Sequence, residues 1–227
     1  MDCILCDNSD WNNLTENYII CDNCGLIRVK NISSPDLYLF ENYCEYQYRN
    51  GYLPHHLKFK HDYQIANLRL SYLTNHKSEG SLIDIGAGNG AFVRCANDNG
   101  FKAVGYEVDW LVAAIASRIS KSHVVDVIEN EFYDIVTMFD VIEHLVNPLQ
   151  IIHSDYLHIE LPLYNGDSEW EHFKPEEHIW CFTLETIKLF ANKIGYDILD
   201  IYTPISLEGK VLNTKAGLIM RNDNFYN

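Results

Sequence analysis

A glycine-rich turn between two apolar runs carries the first residues that could do chemistry. The apolar run Ser81–Ile85 contains Asp84 and leads directly into Gly86-Ala87-Gly88-Asn89-Gly90. Glycines allow positive φ angles and a close approach of the backbone to a ligand. Glu107 ends the next apolar run, about twenty residues beyond the first glycine, the spacing at which a carboxylate accepts the ribose hydroxyls of an adenosine. The pattern therefore predicts a nucleoside pocket built from strand, turn, helix and strand.

Four of the seven cysteines form two C-x-x-C pairs, Cys3 with Cys6 and Cys21 with Cys24. Each pair presents two thiolates to one ion, and four thiolates satisfy tetrahedral Zn²⁺. Because such a set leaves no coordination position open, we expect a structural zinc ion. The alternatives are reduced cysteines without metal and a redox-active pair. A segment this small cannot build its own core, so the zinc would supply its folding energy.

The chain that must position these residues divides by composition into three parts. Residues 1–34 are rich in cysteine and are called the knuckle below, residues 35–78 are an aromatic-rich segment that predicts a helical lid, and residues 79–227 are the predicted core. In the core, short apolar runs alternate with helical patterns, which is typical of a mostly parallel sheet covered by helices. The predicted strands lie near 81–85, 102–107, 122–126, 133–138, 157–161, 196–202 and 215–221, and the predicted helices near 63–73, 89–99, 109–119, 141–152 and 183–194.

Composition and charge exclude several classes of function. The 227 residues are 47% hydrophobic and 22% charged, as in globular proteins and unlike disordered chains. A formal net charge of −15 without any run of basic residues makes long nucleic acid a disfavoured partner. The glycine turn lacks the G-K-[S/T] of a P-loop, so ATP hydrolysis is not expected. We expect a cytoplasmic protein, because we find neither a membrane-spanning run nor a signal peptide.

Several motifs resemble those of one enzyme family. Residues 82–90 (LIDIGAGNG) resemble the first motif of class I S-adenosylmethionine-dependent methyltransferases, residues 104–109 resemble their ribose-binding second strand, and residues 132–145 their fourth-strand motif. Residues 176–183 (EEHIWCFT) and the two cysteine pairs are similar to a subgroup that includes sugar C-methyltransferases. The resemblance covers nearly the whole chain. It implies an α/β, Rossmann-like, doubly wound, seven-stranded core with a zinc-binding N-terminal segment and a helical lid.

The resemblance assigns a role to each matching residue. Asp84 and the backbone at the first glycines would hold the methionine end of S-adenosylmethionine, and Glu107 would bind the ribose. The side chains after the fourth strand would border the sulfonium. The implied cofactor-binding residues are Asp84, Gly86, Ala87, Gly88, Glu107, Phe139 and Asp140.

His178 is the candidate base, with Glu177 beside it to orient or polarise the imidazole. It follows the fifth predicted strand, near the carboxyl ends of the strands, where open α/β sheets bind ligands. Methyl transfer from a sulfonium is an in-line displacement, so the protein must orient and deprotonate the acceptor. The resemblance implies a small-molecule acceptor, with a sugar or sugar nucleotide as the first candidate. It leaves the oligomeric state open.

Two other hypotheses remain open. Asp140, Glu143 and His144 have the spacing of one helical face. With His178 they resemble the set that binds a divalent ion in RNA 3′-end 2′-O-methyltransferases and ubiquinone-pathway O-methyltransferases, where the ion would lower the pKa of a substrate hydroxyl. Without metal, Glu143 and His144 would form hydrogen bonds to the start of the predicted helix and border the cofactor. The third hypothesis is a scaffold protein that binds a nucleoside without turnover.

Overall fold

Two β-sheets and four α-helices organise residues 2–32, 55–128 and 132–222, which are the residues that the computed structural model describes. Residues 35–54 of the predicted lid lie outside them. In chain order the elements are β1 (Trp11–Asn13), β2 (Tyr18–Cys21), β3 (Ile27–Val29), α1 (His55–Thr74), β4 (Ser81–Ile85), α2 (Ala91–Asp98), β5 (Lys102–Tyr106), α3 (Trp110–Ser120), β6 (Val124–Val125), β7 (Phe132–Phe139), β8 (His153–Pro162), β9 (Trp180–Cys181), α4 (Leu184–Lys193), β10 (Asp197–Tyr202) and β11 (Lys215–Arg221).

The larger sheet has seven strands in the order β10-β11-β8-β7-β4-β5-β6. Neighbouring strands from β8 to β6 are parallel, whereas β11 is antiparallel to both β8 and β10. Helices pack on both faces of this sheet, which explains why Leu82, Ile83 and Leu157 are completely buried. The seven-stranded, doubly wound core predicted from the sequence is confirmed.

Each face of this sheet has its own apolar core. Helices α1, α2 and α3 pack on one face, where Leu70 and Phe92 meet Leu82. Helix α4 packs on the other face, where Phe190 meets Leu157 and residues of the knuckle. None of the described helices is both long and apolar enough to cross a lipid bilayer.

The smaller sheet joins the knuckle to the core. Strands β1, β2 and β3 are antiparallel, and β9 adds to β3 as the fourth strand. The ladder pairs Ile27 with Cys181 and Arg28 with Trp180. Strand β9 follows His178 directly, so the knuckle borders the segment that carries the candidate base.

The helix predicted over residues 141–152 is wrong. Only Ile142–His144 is helical, as a single 3-10 turn, and irregular backbone continues to the start of β8 at His153. Pro148 explains the interruption, because proline has no N–H to donate and disfavours helical backbone at the preceding residue. The helix predicted near 63–73 is in turn part of the longer α1.

Candidate active site at the carboxyl ends of the central strands

The glycine turn connects β4 to α2 through left-handed backbone. The φ angles of Gly86, Gly88 and Gly90 are 71°, 54° and 73°. A Cβ on Gly86 would lie 2.6 Å from the Cγ2 of Val141, so a larger residue has no room there. The turn therefore lies directly against the segment that follows β7, which carries the other candidate residues.

Asp84 lies near the end of β4 and is only 3% exposed. Its carboxylate accepts a hydrogen bond from the Thr137 hydroxyl on β7, at 2.7 Å. Burial raises the pKa of Asp84 to about 7, although this hydrogen bond and the charge of Arg69 oppose the rise. A buried carboxyl with few partners is suited to bind a cationic group such as the α-ammonium of a bound amino acid.

Glu107 follows β5 and is joined to the glycine turn. Its carboxylate accepts the N–H of Gly88 at 3.0 Å and the N–H of Val108 at 3.1 Å. Burial raises its pKa even though these N–H groups favour the charged form. The structure thus brings together the turn and the acid that the sequence separates by about twenty residues, in the arrangement that a nucleoside pocket requires.

Phe139 ends β7, and the next residue, Asp140, lies beside two cations. The Asp140 carboxylate lies 2.5 Å from the Lys215 ammonium and 3.7 Å from the Arg69 guanidinium. Burial opposes ionisation, but the charge of Lys215, followed by that of Arg69, holds the pKa of Asp140 below its ordinary value. Arg69 also lies over the Phe139 ring, 4.3 Å from its centroid.

Sequence analysis missed a buried polar network behind this pair. Arg69 on α1 donates to the Glu160 carboxylate at 2.6 Å, and Glu160 is 4% exposed. His158 and Tyr202 share a hydrogen bond of 2.7 Å beside it. Burial lowers the pKa of His158 to about 3, so its imidazole is neutral. A glutamate inside the apolar run of β8 was the signal that could have identified this network, since buried acids need partners.

Glu143, His144 and His178 form a compact cluster after β7 and before β9. One ligand atom from each of them lies within 4.8 Å of the others. Glu143 is 1% exposed, and neither of its carboxylate oxygens has a hydrogen-bond partner among the described residues. Burial, reinforced by Asp140, raises the pKa of Glu143 to about 8. Asp140, the fourth member of the predicted set, lies nearby but its carboxylate is paired with Lys215.

Backbone carbonyls hold both imidazoles of the cluster. The Nδ1 of His144 is 3.0 Å from the carbonyl oxygen of Glu177, and the Nδ1 of His178 is 2.8 Å from that of His172. A carbonyl only accepts, so each Nδ1 is the protonated nitrogen and each Nε2 carries the lone pair. The two rings meet edge to face, with centroids 4.7 Å apart. Burial and the neighbouring imidazole lower the pKa of His178 to about 3.

Glu177 reaches this cluster through its backbone. Its carbonyl orients His144, whereas its carboxylate lies 3.5 Å from the Lys174 ammonium. The carbonyl that orients His178 belongs to His172 instead.

The four knuckle cysteines converge on one point. Their Sγ atoms all lie within 4.8 Å of one another, with Cys3 at 3.5 Å from Cys24 and Cys6 at 3.6 Å from Cys21. Four thiolates around one tetrahedral Zn²⁺, each with a Zn–S bond near 2.3 Å, lie about 3.8 Å apart. The donor set and its spacing therefore fit a zinc ion.

Comparisons with known proteins identify the family and the fold. The methyltransferase domain family matches residues 55–201. The 1,6-didemethyltoxoflavin-N1-methyltransferase of Burkholderia thailandensis, solved with S-adenosylhomocysteine, has a TM-score of 0.58 at 11% identity, with 94% of this chain and 99% of that chain covered. The magnesium protoporphyrin IX methyltransferase of Synechocystis PCC 6803, also with S-adenosylhomocysteine, has a TM-score of 0.57 at 12% identity, covering 83% and 97%.

An S-adenosylmethionine-dependent methyltransferase of Archaeoglobus fulgidus has a TM-score of 0.55 at 18% identity, covering 79% of this chain and 99% of that chain. Identities this low show a shared fold alone. No curated protein matches the chain. The family match spans more than half of the chain and includes the glycine turn, Glu107 and the residues that follow β7. This chain belongs to the methyltransferase domain family and is an S-adenosylmethionine-dependent methyltransferase of the class I fold.

Proposed function

We propose that this enzyme transfers the methyl group of S-adenosylmethionine to a hydroxyl oxygen of a small-molecule acceptor, beside Glu143, His144 and His178. One observation carries the proposal. A fully buried carboxylate without a hydrogen-bond partner among the described residues faces two imidazoles whose tautomers present Nε2. The nearest charged partner is Nε2 of His144, 3.9 Å from Oε1 of Glu143. A buried acid without a hydrogen bond is costly, which supports a ligand beyond the protein chain at this position.

The cofactor pocket would use the residues around the glycine turn. Asp84 and the backbone of Gly86, Ala87 and Gly88 would hold the methionine end, and Glu107 would accept the ribose hydroxyls. This assignment is supported by the buried carboxyl of Asp84 and by the contact of Glu107 with Gly88. Phe139 and Asp140 would then border the sulfonium, because Val141 packs against the turn at Gly86.

The cluster fits a divalent cation. Imidazole and carboxylate together suit Mn²⁺, Fe²⁺ or Zn²⁺, and a histidine ligand is commonly oriented by a carbonyl on its second nitrogen. When bound, such an ion lowers the pKa of an acceptor hydroxyl and so makes it nucleophilic near neutral pH. The protein would supply the negative charge of Glu143, which offsets the positive charge of the ion. It would also keep Nε2 of His144 and His178 unprotonated.

In a second candidate mechanism the acceptor is the same, but His178 itself removes its proton. The hydrogen bond from Nδ1 of His178 to the carbonyl of His172 leaves Nε2 as the proton acceptor. In this version Glu143 would have to be ionised, so that its charge raises the pKa of His178 from about 3 and stabilises the resulting imidazolium. Glu177 would act through the carbonyl that holds His144.

Small molecules are the acceptors named for two proteins of similar fold, a toxoflavin precursor and magnesium protoporphyrin IX. The net charge of −15 favours the same class, because a polyanion would be repelled. Sugars and sugar nucleotides come first among the acceptors to test. We also propose that Cys3, Cys6, Cys21 and Cys24 hold a structural zinc ion.

Transfer of labelled methyl groups to sugars, nucleotide sugars and phenols tests the proposal. The zinc-loaded protein is treated with EDTA, its zinc content is measured, and Mg²⁺, Mn²⁺ or Zn²⁺ is added back. Activity that disappears while the knuckle zinc remains, and that returns with one ion, supports the metal-assisted reaction. Full activity without that ion supports His178 as the base. Binding of S-adenosylmethionine without transfer to any acceptor would favour the scaffold.

Glu143→Gln separates the two mechanisms further. This variant keeps the side-chain shape but removes the charge, so we expect Mn²⁺ binding to weaken by at least 100-fold. Binding of S-adenosylhomocysteine should stay within 2-fold of the wild type. Glu176→Gln is the control, since Glu176 is an exposed glutamate in the loop that carries His178. If Glu143→Gln binds Mn²⁺ and turns over as the control does, Glu143 is not a ligand.

A further inference from the structure

The segment that carries His178 is fixed in place by the knuckle. Val29 on β3 donates its N–H to the carbonyl of Ile179 at 2.9 Å, and the ladder continues to Trp180 and Cys181. Tyr18 on β2 donates its hydroxyl hydrogen to the carbonyl of His178 at 3.1 Å. The Tyr18 side chain is 1% exposed, so water is not available to replace this bond.

The same short segment also holds the other half of the cluster. Ile179 donates its N–H to the carbonyl of Glu143 at 2.9 Å. The Trp180 indole donates to the carbonyl of Leu145, also at 2.9 Å. Residues 178–180 therefore lie between the knuckle on one side and residues 143–145 on the other, and hydrogen bonds join them to both sides.

The loop that carries His178 has no helix or strand of its own that could hold the histidine in place without the knuckle. Between the end of β8 at Pro162 and the start of β9 at Trp180, the chain forms no helix or strand. Residues 141–152, which carry Glu143 and His144, likewise contain no regular element except a single 3-10 turn. Glu143, His144 and His178 thus all lie on irregular segments of the chain. The ladder between β3 and β9 is a regular element that borders this cluster.

We infer that the knuckle is a positioning element of the active site, with Tyr18 as a positioning residue for His178. The inference rests on the proposed function of the Glu143–His144–His178 cluster. Because the folding of the knuckle would depend on its four cysteines binding zinc, zinc occupancy at the knuckle would control the geometry of a cluster that lies outside it. The cofactor pocket, which is built by β4, β5 and their turns, should be unaffected.

Tyr18→Phe tests the inference in the full-length, zinc-loaded protein. Tyr196→Phe is the control, because Tyr196 is also a buried tyrosine whose hydroxyl bonds backbone away from the cluster. It donates to the carbonyl of Ser154 at 2.8 Å and accepts the N–H of Ser154 at 3.1 Å, at the start of β8. For Tyr18→Phe we expect amide hydrogen exchange at Ile179 to accelerate about 5-fold, the effect of losing one buried hydrogen bond. The imidazole ¹⁵N signals of His178 should shift or broaden. Binding of S-adenosylhomocysteine should stay within 2-fold, and the control should change neither signal.

Zinc removal is the second perturbation, made by mild chelation or by Cys3→Ser with Cys6→Ser. We expect Val29 and Ile179 to lose protection together and the His178 signals to average, while S-adenosylhomocysteine still binds. The inference is overturned if Ile179 protection and the His178 signals persist both in Tyr18→Phe and after the knuckle has lost its zinc. It is equally overturned if Tyr196→Phe produces the same changes.

These readouts separate the inference from the proposed function. If Mn²⁺ does not bind the wild-type cluster, the metal-assisted reaction fails, but Ile179 exchange and the His178 signals still decide the positioning role. If Mn²⁺ does bind, its affinity should fall in Tyr18→Phe and not in Tyr196→Phe.

Discussion

Replacing Asp84 with asparagine should stabilise the ligand-free enzyme at pH 8. Burial raises the pKa of this carboxyl from 3.8 to about 7, so above pH 7 the folded protein contains a charge that water solvates far better in the unfolded chain. The difference between 3.8 and about 7 corresponds to about 4 kcal/mol of unfolding free energy. Asparagine avoids this cost, but its amide hydrogens need new acceptors, at a cost of about 1–2 kcal/mol. A net gain of about 2–3 kcal/mol is expected.

The difference in unfolding free energy between Asp84→Asn and the wild type should increase as pH rises. Well below pH 3.8 the wild-type carboxyl is protonated in both states, and its contribution to stability is fully present. As pH rises towards 7, the unfolded chain ionises first, and stability is lost at about 1.4 kcal/mol per pH unit. The advantage of Asp84→Asn over the wild type should therefore grow by about 3 kcal/mol between pH 5 and pH 8.

Urea unfolding followed by tryptophan fluorescence at pH 5, 6, 7 and 8 measures this advantage. Asp134→Asn is a control of opposite sign, because the N–H and hydroxyl of Ser81 bond the Asp134 carboxylate and lower its pKa. That variant should be destabilised at pH 8, and its deficit should disappear as pH falls through the folded pKa. An Asp84→Asn difference that is the same at every pH would refute the reasoning.

The remaining predictions concern three other regions. Glu107→Gln should weaken S-adenosylhomocysteine binding by about 1–3 kcal/mol in calorimetry, because the ribose hydroxyls lose a charged acceptor; unchanged affinity would mean that the ribose lies elsewhere. Cys3→Ser with Cys6→Ser should release one zinc ion per chain, measured by elemental analysis, and a folded, zinc-free wild type would contradict the zinc site. Gly217→Ala should lower the unfolding free energy by about 1–3 kcal/mol, since its Cβ would lie 2.0 Å from the ring of Tyr202; a melting temperature equal to that of the wild type would contradict this packing.

The central sheet was predictable because its signals are local. Each buried strand is a short apolar run, and the glycines mark the turn that must have positive φ. The approach of Glu107 to Gly88 followed from the same reasoning, because adjacent parallel strands end at the same edge of the sheet. These features depend on residues close together in the chain.

Other features depend on contacts between residues far apart in the chain, which no local sequence pattern predicts. A helix was predicted near 141–152, with Asp140, Glu143 and His144 on one face, yet only Ile142–His144 forms a 3-10 turn, and Pro148 is incompatible with a regular helix across this segment. The ion pair of Arg69 with Glu160 joins residues 91 positions apart, and only the charge within β8 hinted at it.

The addition of β9 to the knuckle sheet joins the N-terminal segment to a strand about 150 residues later in the chain. The hydrogen bond from Tyr18 to His178 spans 160 residues, and the two-residue strand β9 is too short for a recognisable strand pattern. Pairings at this distance depend on the complete fold, so the positioning role of the knuckle was visible only in the structure.

Isothermal titration calorimetry of the purified enzyme with S-adenosylhomocysteine tests the central claim most directly. The account predicts one binding site per chain, with affinity about 10–100-fold weaker in Glu107→Gln, the loss expected when a hydrogen bond to a charged group is removed. Binding heat that is absent at millimolar ligand, or equal in Glu107→Gln and the wild type, would contradict it.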